Sequence, residues 1–289
     1  MGVGGTRRTW QQQTKYFGHD RRDEFSVLVM DNRGQGDSDK PYGRYTTSAM
    51  ALDIVDVLNH VQWTKPKSVH LVGISLGGMI AQELAHAEPH RFRSLSLLCT
   101  TSAMQHNKSW WDNIRQRAGV LVPKTEHQAT VDTARQIFNE DWLLAPDEAI
   151  VPVVGETPGC DPPRGDGKEY LHFDNNFQRF LAGELTKRRD PGFYSKLGII
   201  SQLVAAGGHY KSPEQLKHIA DVIGRDRIMI MHGPGDNMIS VENGKTLMSI
   251  MEPGTAMLVE GMSHTPVLDR SDWFNKLFEE KVKLWEKEQ

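Results

Sequence analysis

The chain has 289 residues, 25% of them charged and 38% hydrophobic, with a formal net charge of −3. That length suits one large domain. The near-balance of charge excludes a strong field for nucleic acid or an anionic membrane surface. Two cysteines, Cys99 and Cys160, cannot build a disulfide framework or a four-cysteine zinc site. The mean hydropathy is −0.51, and no run of about 18 apolar residues offers a membrane span. The opening MGVGGTRRTWQQQ lacks an apolar leader, so a cytoplasmic location is expected.

Short apolar runs alternate with amphipathic stretches. Residues 26–31, SVLVMD, read as a strand ending in the turn cluster DNRGQGDSD, whose charges, Arg33 among them, staple the turn locally. Residues 47–60 place Met50, Ile54, Val57 and Leu58 at helical spacing. A second strand is expected at 69–74, a helix at 76–88 that stops before Pro89, and a third strand at 94–99. Two more strands, 227–232 and 255–260, come late, followed by a helix from about Trp273 to Glu286. Buried apolar runs separated by helices predict an α/β fold with a mostly parallel sheet flanked by helices. The stretch 104–223 breaks this rhythm. It carries helical patterns (113–118, 131–142, 176–187, 197–206) around a Pro- and Gly-rich loop at 155–169. The expected organisation is therefore a core of 1–103 and 224–289 with a helical insertion at 104–223.

The 69–74 run ends in Gly73-Ile74-Ser75-Leu76-Gly77-Gly78, a G-x-S-x-G pattern between a strand and a helix. Such a turn exposes the serine hydroxyl at the carboxyl edge of the sheet, and flanking glycines let neighbouring backbone approach. Ser75 is the expected nucleophile, with the Leu76 N–H as an oxyanion donor at the helix start. Downstream, 227–232 leads into His232-Gly233-Pro234-Gly235-Asp236, and the last strand leads into Glu260-Gly261-Met262-Ser263-His264. The order Ser75, Asp236, His264 suits a nucleophile, an orienting acid and a general base. Asp226 is the wrong acid, because it precedes its strand and sits at the opposite sheet edge. His70 and His232 are read as structural. His209, Met104, Trp110 and Trp142 are pocket candidates, alongside other apolar residues of the insertion (Trp111, Phe138, Phe177, Phe180, Leu203). Lys187-Arg188-Arg189 is read as a solvated helix end.

The pieces DNRGQGDSDKP (31–41), VGISLGGMIAQELA (72–85), HGPGD (232–236) and EGMSH (260–264) resemble the α/β-hydrolase superfamily, in particular its small serine esterase and lactonase branch. The resemblance implies an eight-stranded, mostly parallel sheet with a helical lid between strands six and seven. It also implies a second oxyanion donor from an early Gly-rich loop, which falls on Val3 in Met1-Gly2-Val3-Gly4-Gly5. The chain opens where the family's third strand has already ended, so the expectation is a shortened sequence starting at an internal methionine. The implied activity is hydrolysis of small to medium apolar carboxylic esters or lactones through an acyl-enzyme, without metal or organic cofactor. The partner is a small-molecule substrate, not nucleic acid. Two alternatives stay open: a C–C bond hydrolase or peptidase on the same triad, and a non-catalytic ligand-binding or fragment form of the fold.

Overall fold

The structure, a computed structural model, describes residues 1–104, 125–152, 156–157, 160 and 171–287. Four parallel strands stand in the order of the chain: β1 (Val69–Ile74), β2 (Phe92–Leu98), β3 (Ile228–His232) and β4 (Thr255–Leu258). Their ladders run from Leu71↔Leu95 through Leu97↔Ile230 to Met231↔Met257.

Successive residues of a strand face opposite sides, and β3 shows the consequence. Ile228 and Ile230 enter one apolar cluster, while Met229 and Met231 enter the other. The first cluster is covered by α2 (Thr47–His60) and α3 (Leu76–Ala87). It also takes residues from α8 (Pro213–Ile223) and α9 (Val241–Met251). The second packs against α11 (Ser271–Lys287), whose Phe274, Val282 and Trp285 are buried, with the short α10 (Pro266–Asp269) beside it. Both faces of the sheet are thus covered, which explains the near-continuous apolar strands.

The expected strand at 26–31 is not formed. These residues join no ladder, and Ser26 and Val27 are exposed. Strand propensity is realised only where a neighbour supplies hydrogen bonds and a surface to pack on. Among the described residues no strand lies on the far side of β1, so the implied eight strands are four here. The first twenty residues are instead largely helical, with α1 at Gln11–Lys15 followed by a wide turn over Tyr16–Asp20.

Between β2 and β3 lie α4 (Glu126–Ile137), α5 (Glu140–Leu144), α6 (Asn176–Arg188) and α7 (Lys196–Gly207). Their own small cluster centres on Ala134, Phe138 and Leu143. The segment 104–223 is not uniform. Helix α8 starts in a capping box, with the Ser212 hydroxyl accepting from the Gln215 N–H and the Gln215 side chain accepting from the Ser212 N–H. It then buries Leu216, Ile219, Ala220 and Ile223 against α3 and the sheet. No helix among the described residues is long and apolar enough to cross a membrane.

Candidate active site

Ser75 occupies the turn from β1 to α3 with φ 55° and ψ −123°, a left-handed backbone that costs a non-glycine residue about 1–3 kcal/mol. The surroundings over-determine it. The Ser75 N–H donates to the Leu98 carbonyl at 3.0 Å, and the Ser75 carbonyl accepts from Thr100 Oγ1 at 2.7 Å and from the Gly78 N–H at 2.9 Å. A side chain at Gly73 would strike the Gly77 backbone, and one at Gly77 would strike Met1. The glycines flanking the serine are therefore demanded by close approach, as the motif predicts. Gly2 lies against the Ser75 side chain, 3.6 Å from its Oγ to where a Gly2 Cβ would stand.

Asp236 sits on the turn after β3. Its Oδ1 accepts from the Met238 and Ile239 N–H groups at 2.8 and 2.9 Å. Its Oδ2 accepts from His264 Nδ1 at 2.7 Å and lies 3.1 Å from His232 Nε2. Burial alone would raise the Asp236 carboxyl, but the two histidines and the backbone donors outweigh it and hold it well below the usual carboxylate range. His264 lies in the turn after β4, and its backbone N–H donates to the Ile137 carbonyl at the end of α4 at 3.0 Å. With Nδ1 spent on the carboxylate, Nε2 is the nitrogen left to accept a proton.

Ser75, Asp236 and His264 line one cavity of about 2700 Å³. Among the described residues no hydrogen bond joins Ser75 Oγ to His264. Val3 and Gly4 line the same cavity. Leu76 does not; its side chain is buried in the core, and its N–H lies at the first position of α3, where the helix supplies no acceptor.

Of the pocket candidates, Met104, Phe138, Trp142, Phe180 and Leu203 line the cavity, and Phe177 does not. Trp110 and Trp111 fall outside the described residues. The reading of His209 as a pocket residue is corrected. It is buried and does not line the cavity, its Nδ1 3.0 Å from Thr47 Oγ1 and 3.4 Å from Glu83 Oε1, in a cluster completed by the Lys211–Glu83 ion pair. A buried imidazole is held there by polar partners that a helical pattern does not announce. The reading of Lys187-Arg188-Arg189 as a solvated end is corrected for two of the three. Lys187 Nζ reaches the Gly4 carbonyl at 3.1 Å, and the Arg188 guanidinium lies over the Tyr194 ring, leaving Arg189 exposed. The turn at 31–37 is held locally by the Ser38 hydroxyl on the Asp31 carbonyl and by the bond from Asp37 to Asp31, but its charged side chains pair with distant partners rather than within the turn. Asp31 pairs with Arg7 at 2.5 Å and accepts from the Asp37 N–H, and Arg33 pairs with Asp53.

Sequence reasoning missed two polar groups, Asp269 and Gln202, and did not foresee that His232, read as structural, would also face Asp236. His232 donates from Nε2 to the Ile239 carbonyl at 2.8 Å and faces Asp236, four residues on from the end of its strand. Asp269 is half-buried beside Ser263, which bonds to it, and desolvation pushes its carboxyl up. Gln202, wholly buried, contacts the Gly2–Gly5 loop. Cys99, His232 and Asp236 also bring ligand-type atoms within 4.8 Å of one another. Burial and the Asp236 charge push the Cys99 thiol well up, however, and both Asp236 oxygens already hold donors.

A sequence profile of the alpha/beta hydrolase fold matches residues 2–130. That span includes the Gly2–Gly5 loop and Ser75 and ends before Asp236 and His264. Over 108 residues the chain is 32% identical to 3-oxoadipate enol-lactonase 2 of Acinetobacter baylyi, covering 37% of this chain and 38% of that protein. The matched stretch spans about a third to a half of the length of the curated relatives. Among solved structures, an esterase from Thermogutta terrifontis superposes with a TM-score of 0.69 at 18% identity, covering 98% of this chain and 88% of that one. The enol-lactonase from Burkholderia xenovorans LB400 gives 0.67 at 18% identity, with the same coverage of each chain.

Proposed function

Because this chain has the α/β-hydrolase fold, we propose that it is a serine hydrolase of small to medium apolar carboxylic esters or lactones. One observation carries the reading: a serine on a strained strand-to-helix turn opens onto the cavity that also takes in a histidine bound through Nδ1 to a buried carboxylate.

In the proposed course, Ser75 Oγ attacks the acyl carbon while its proton passes to His264 Nε2. The Val3 and Leu76 N–H groups hold the oxyanion of the tetrahedral intermediate. His264 then gives the proton to the leaving oxygen as its bond to the acyl carbon breaks. Water, deprotonated by the same nitrogen, attacks the acyl-enzyme and releases the acid and Ser75. In a lactone the leaving oxygen stays tethered to the acyl group, so the product is a single hydroxy acid. Asp236 fixes the imidazole tautomer and stabilises the imidazolium. The helices between β2 and β3 act as a cap over the site. Their Phe138, Trp142, Phe180 and Leu203 give the cavity an apolar wall suited to an acyl chain. The enol-lactonase among the relatives favours the same substrate class.

The test is hydrolysis of p-nitrophenyl butyrate and of a small aliphatic lactone by the wild type and by Ser75→Ala. Turnover is expected only in the wild type, with a fluorophosphonate probe labelling Ser75. Equal rates in the two proteins would overturn the proposal.

A further inference from the structure

We propose that Gln202 and Lys187 are positioning residues, which clamp the Gly2–Gly5 loop from the helical segment and thereby set the oxyanion donor at Val3. The inference rests on the acyl-transfer reading above. Gly2–Gly5 is a tight turn: the Gly5 N–H donates to the Gly2 carbonyl at 3.1 Å, and Gly4, its third residue, has φ +67°. A positive φ there belongs to the type II turn. A type I turn has φ near −90° at the same place, and the two differ by rotation of the central peptide. Here the central peptide joins Val3 to Gly4.

The N–H of that peptide donates to Gln202 Oε1 at 2.8 Å. Gln202 lies on α7, is wholly buried, and donates from Nε2 to the Arg33 carbonyl at 2.9 Å. Its amide is thus fixed at both ends, and turning it over would set oxygen against oxygen and N–H against N–H. The next peptide is held too. The Gly4 carbonyl accepts from Lys187 Nζ, on α6, at 3.1 Å, and Glu184 pairs with the same ammonium. Ile199 of α7 closes the turn from the side, with its Cδ1 3.3 Å from where a Gly4 Cβ would stand.

The clamp holds backbone that adjoins the nucleophile, since a Cβ added at Gly2 would stand 3.4 Å from the Ser75 Cβ. With the acceptor gone, the central peptide is free to rotate. Rotation exchanges the directions of the Gly4 N–H and the Val3 carbonyl, and the loop that carries the Val3 N–H loses its tie to the helical segment and can move relative to Ser75. An oxyanion is stabilised by donors already in position, so such a shift acts on the transition state more than on substrate binding. Neither side chain needs to touch substrate; each acts through the loop.

The variants are Gln202→Leu, Gln202→Glu and Lys187→Met, measured on p-nitrophenyl butyrate and against an alkyl trifluoromethyl ketone. The ketone adds to the serine and presents an oxyanion. Gln202→Leu should lower kcat on the order of 10- to 100-fold and weaken the ketone in proportion, with KM within about 3-fold. Lys187→Met should show a smaller loss of the same kind. Gln202→Glu keeps an acceptor for the Gly4 N–H and should rescue part of kcat. Should Gln202→Leu fail to melt cooperatively, Lys187→Met and Gln202→Glu decide. The positioning role is overturned if kcat and ketone affinity stay within about 2-fold of wild type in the folded variants, or if their losses lie in KM alone. With Ser75→Ala inactive, that result sinks the clamp and leaves the acyl-transfer reading standing. With Ser75→Ala fully active, the acyl-transfer reading falls first.

Discussion

Replacing Glu83 with glutamine removes the acid of a buried cluster that ties three parts of the chain together. Glu83 is on α3, Thr47 starts α2, and His209 and Lys211 follow α7. The side chain of Lys211 is 6% exposed and that of Glu83 13%, and the two form an ion pair. Thr47 Oγ1 donates to Glu83 Oε1 at 3.1 Å, and His209 stands 3.4 Å from the same oxygen. Burial pushes the Glu83 carboxyl up, but the bonds and charges of His209 and Lys211 prevail and bring it from 4.5 down to about 2. At about 1.4 kcal/mol for each tenfold change in proton affinity, that fall corresponds to about 3 kcal/mol of stability. Removing one partner of a buried ion pair costs about 3–5 kcal/mol by a separate route, because the other charge is left uncompensated. Glu83→Gln should therefore unfold about 3 kcal/mol more easily at pH 7, read by urea titration of tryptophan fluorescence. A carboxyl with a depressed native pKa stabilises fully above its unfolded value, so the difference from wild type should be complete above pH 5. It should shrink as pH falls from 4.5 toward 2. A difference below about 0.5 kcal/mol at pH 7, or one that does not change between pH 6 and pH 3, would refute this account.

Three further outcomes are expected. Asp236→Asn should lower kcat about 10³- to 10⁴-fold on p-nitrophenyl butyrate with little change in KM, since it removes the charge that orients and stabilises the His264 imidazolium; a loss under 10-fold would exclude Asp236 from the proposed triad. Gly198→Ala should destabilise by about 1–3 kcal/mol in the same urea assay, because its Cβ would run into the Gly34 carbonyl and push α7 off the 31–37 turn. It should also reduce kcat, since Gln202 lies one helical turn on. Cys99, buried and with its thiol pushed well up, should resist Ellman's reagent in the native protein and react only in guanidinium; prompt native reaction at Cys99 by peptide mapping would contradict its burial.

Local chemistry was enough to mark much of the fold in the sequence. The 3.6-residue spacing of Met50, Ile54 and Leu58 predicted a helix over 47–60, and the structure forms α2 over the same residues. The apolar runs 69–74 and 227–232 lie on β1 and β3, where both faces are covered. The glycines around Ser75 predicted the turn, because the steric demand falls on positions close together in the chain, Gly73, Gly77 and Gly78. The order of Asp236 and His264 along the chain picked out the pair that the structure joins at 2.7 Å.

What the sequence could not decide depends on partners distant along the chain. Residues 26–31 have the composition of a strand, yet a strand exists only beside another, and none flanks β1 among the described residues. Lys187 looked like a helix-end cation until the tertiary structure brought the Gly4 carbonyl, 183 positions away, to 3.1 Å. His209 looked available to a pocket until Glu83 and Thr47 enclosed it. A glutamine at an apolar helix position carries no motif, so only the fold could show that Gln202 holds the Gly4 N–H with one end of its amide and the Arg33 carbonyl with the other. Repeat spacing and turn chemistry are properties of neighbours in the chain and can be read from it. The pairing of buried polar groups belongs to neighbours in space, and here it governs the loop beside the nucleophile.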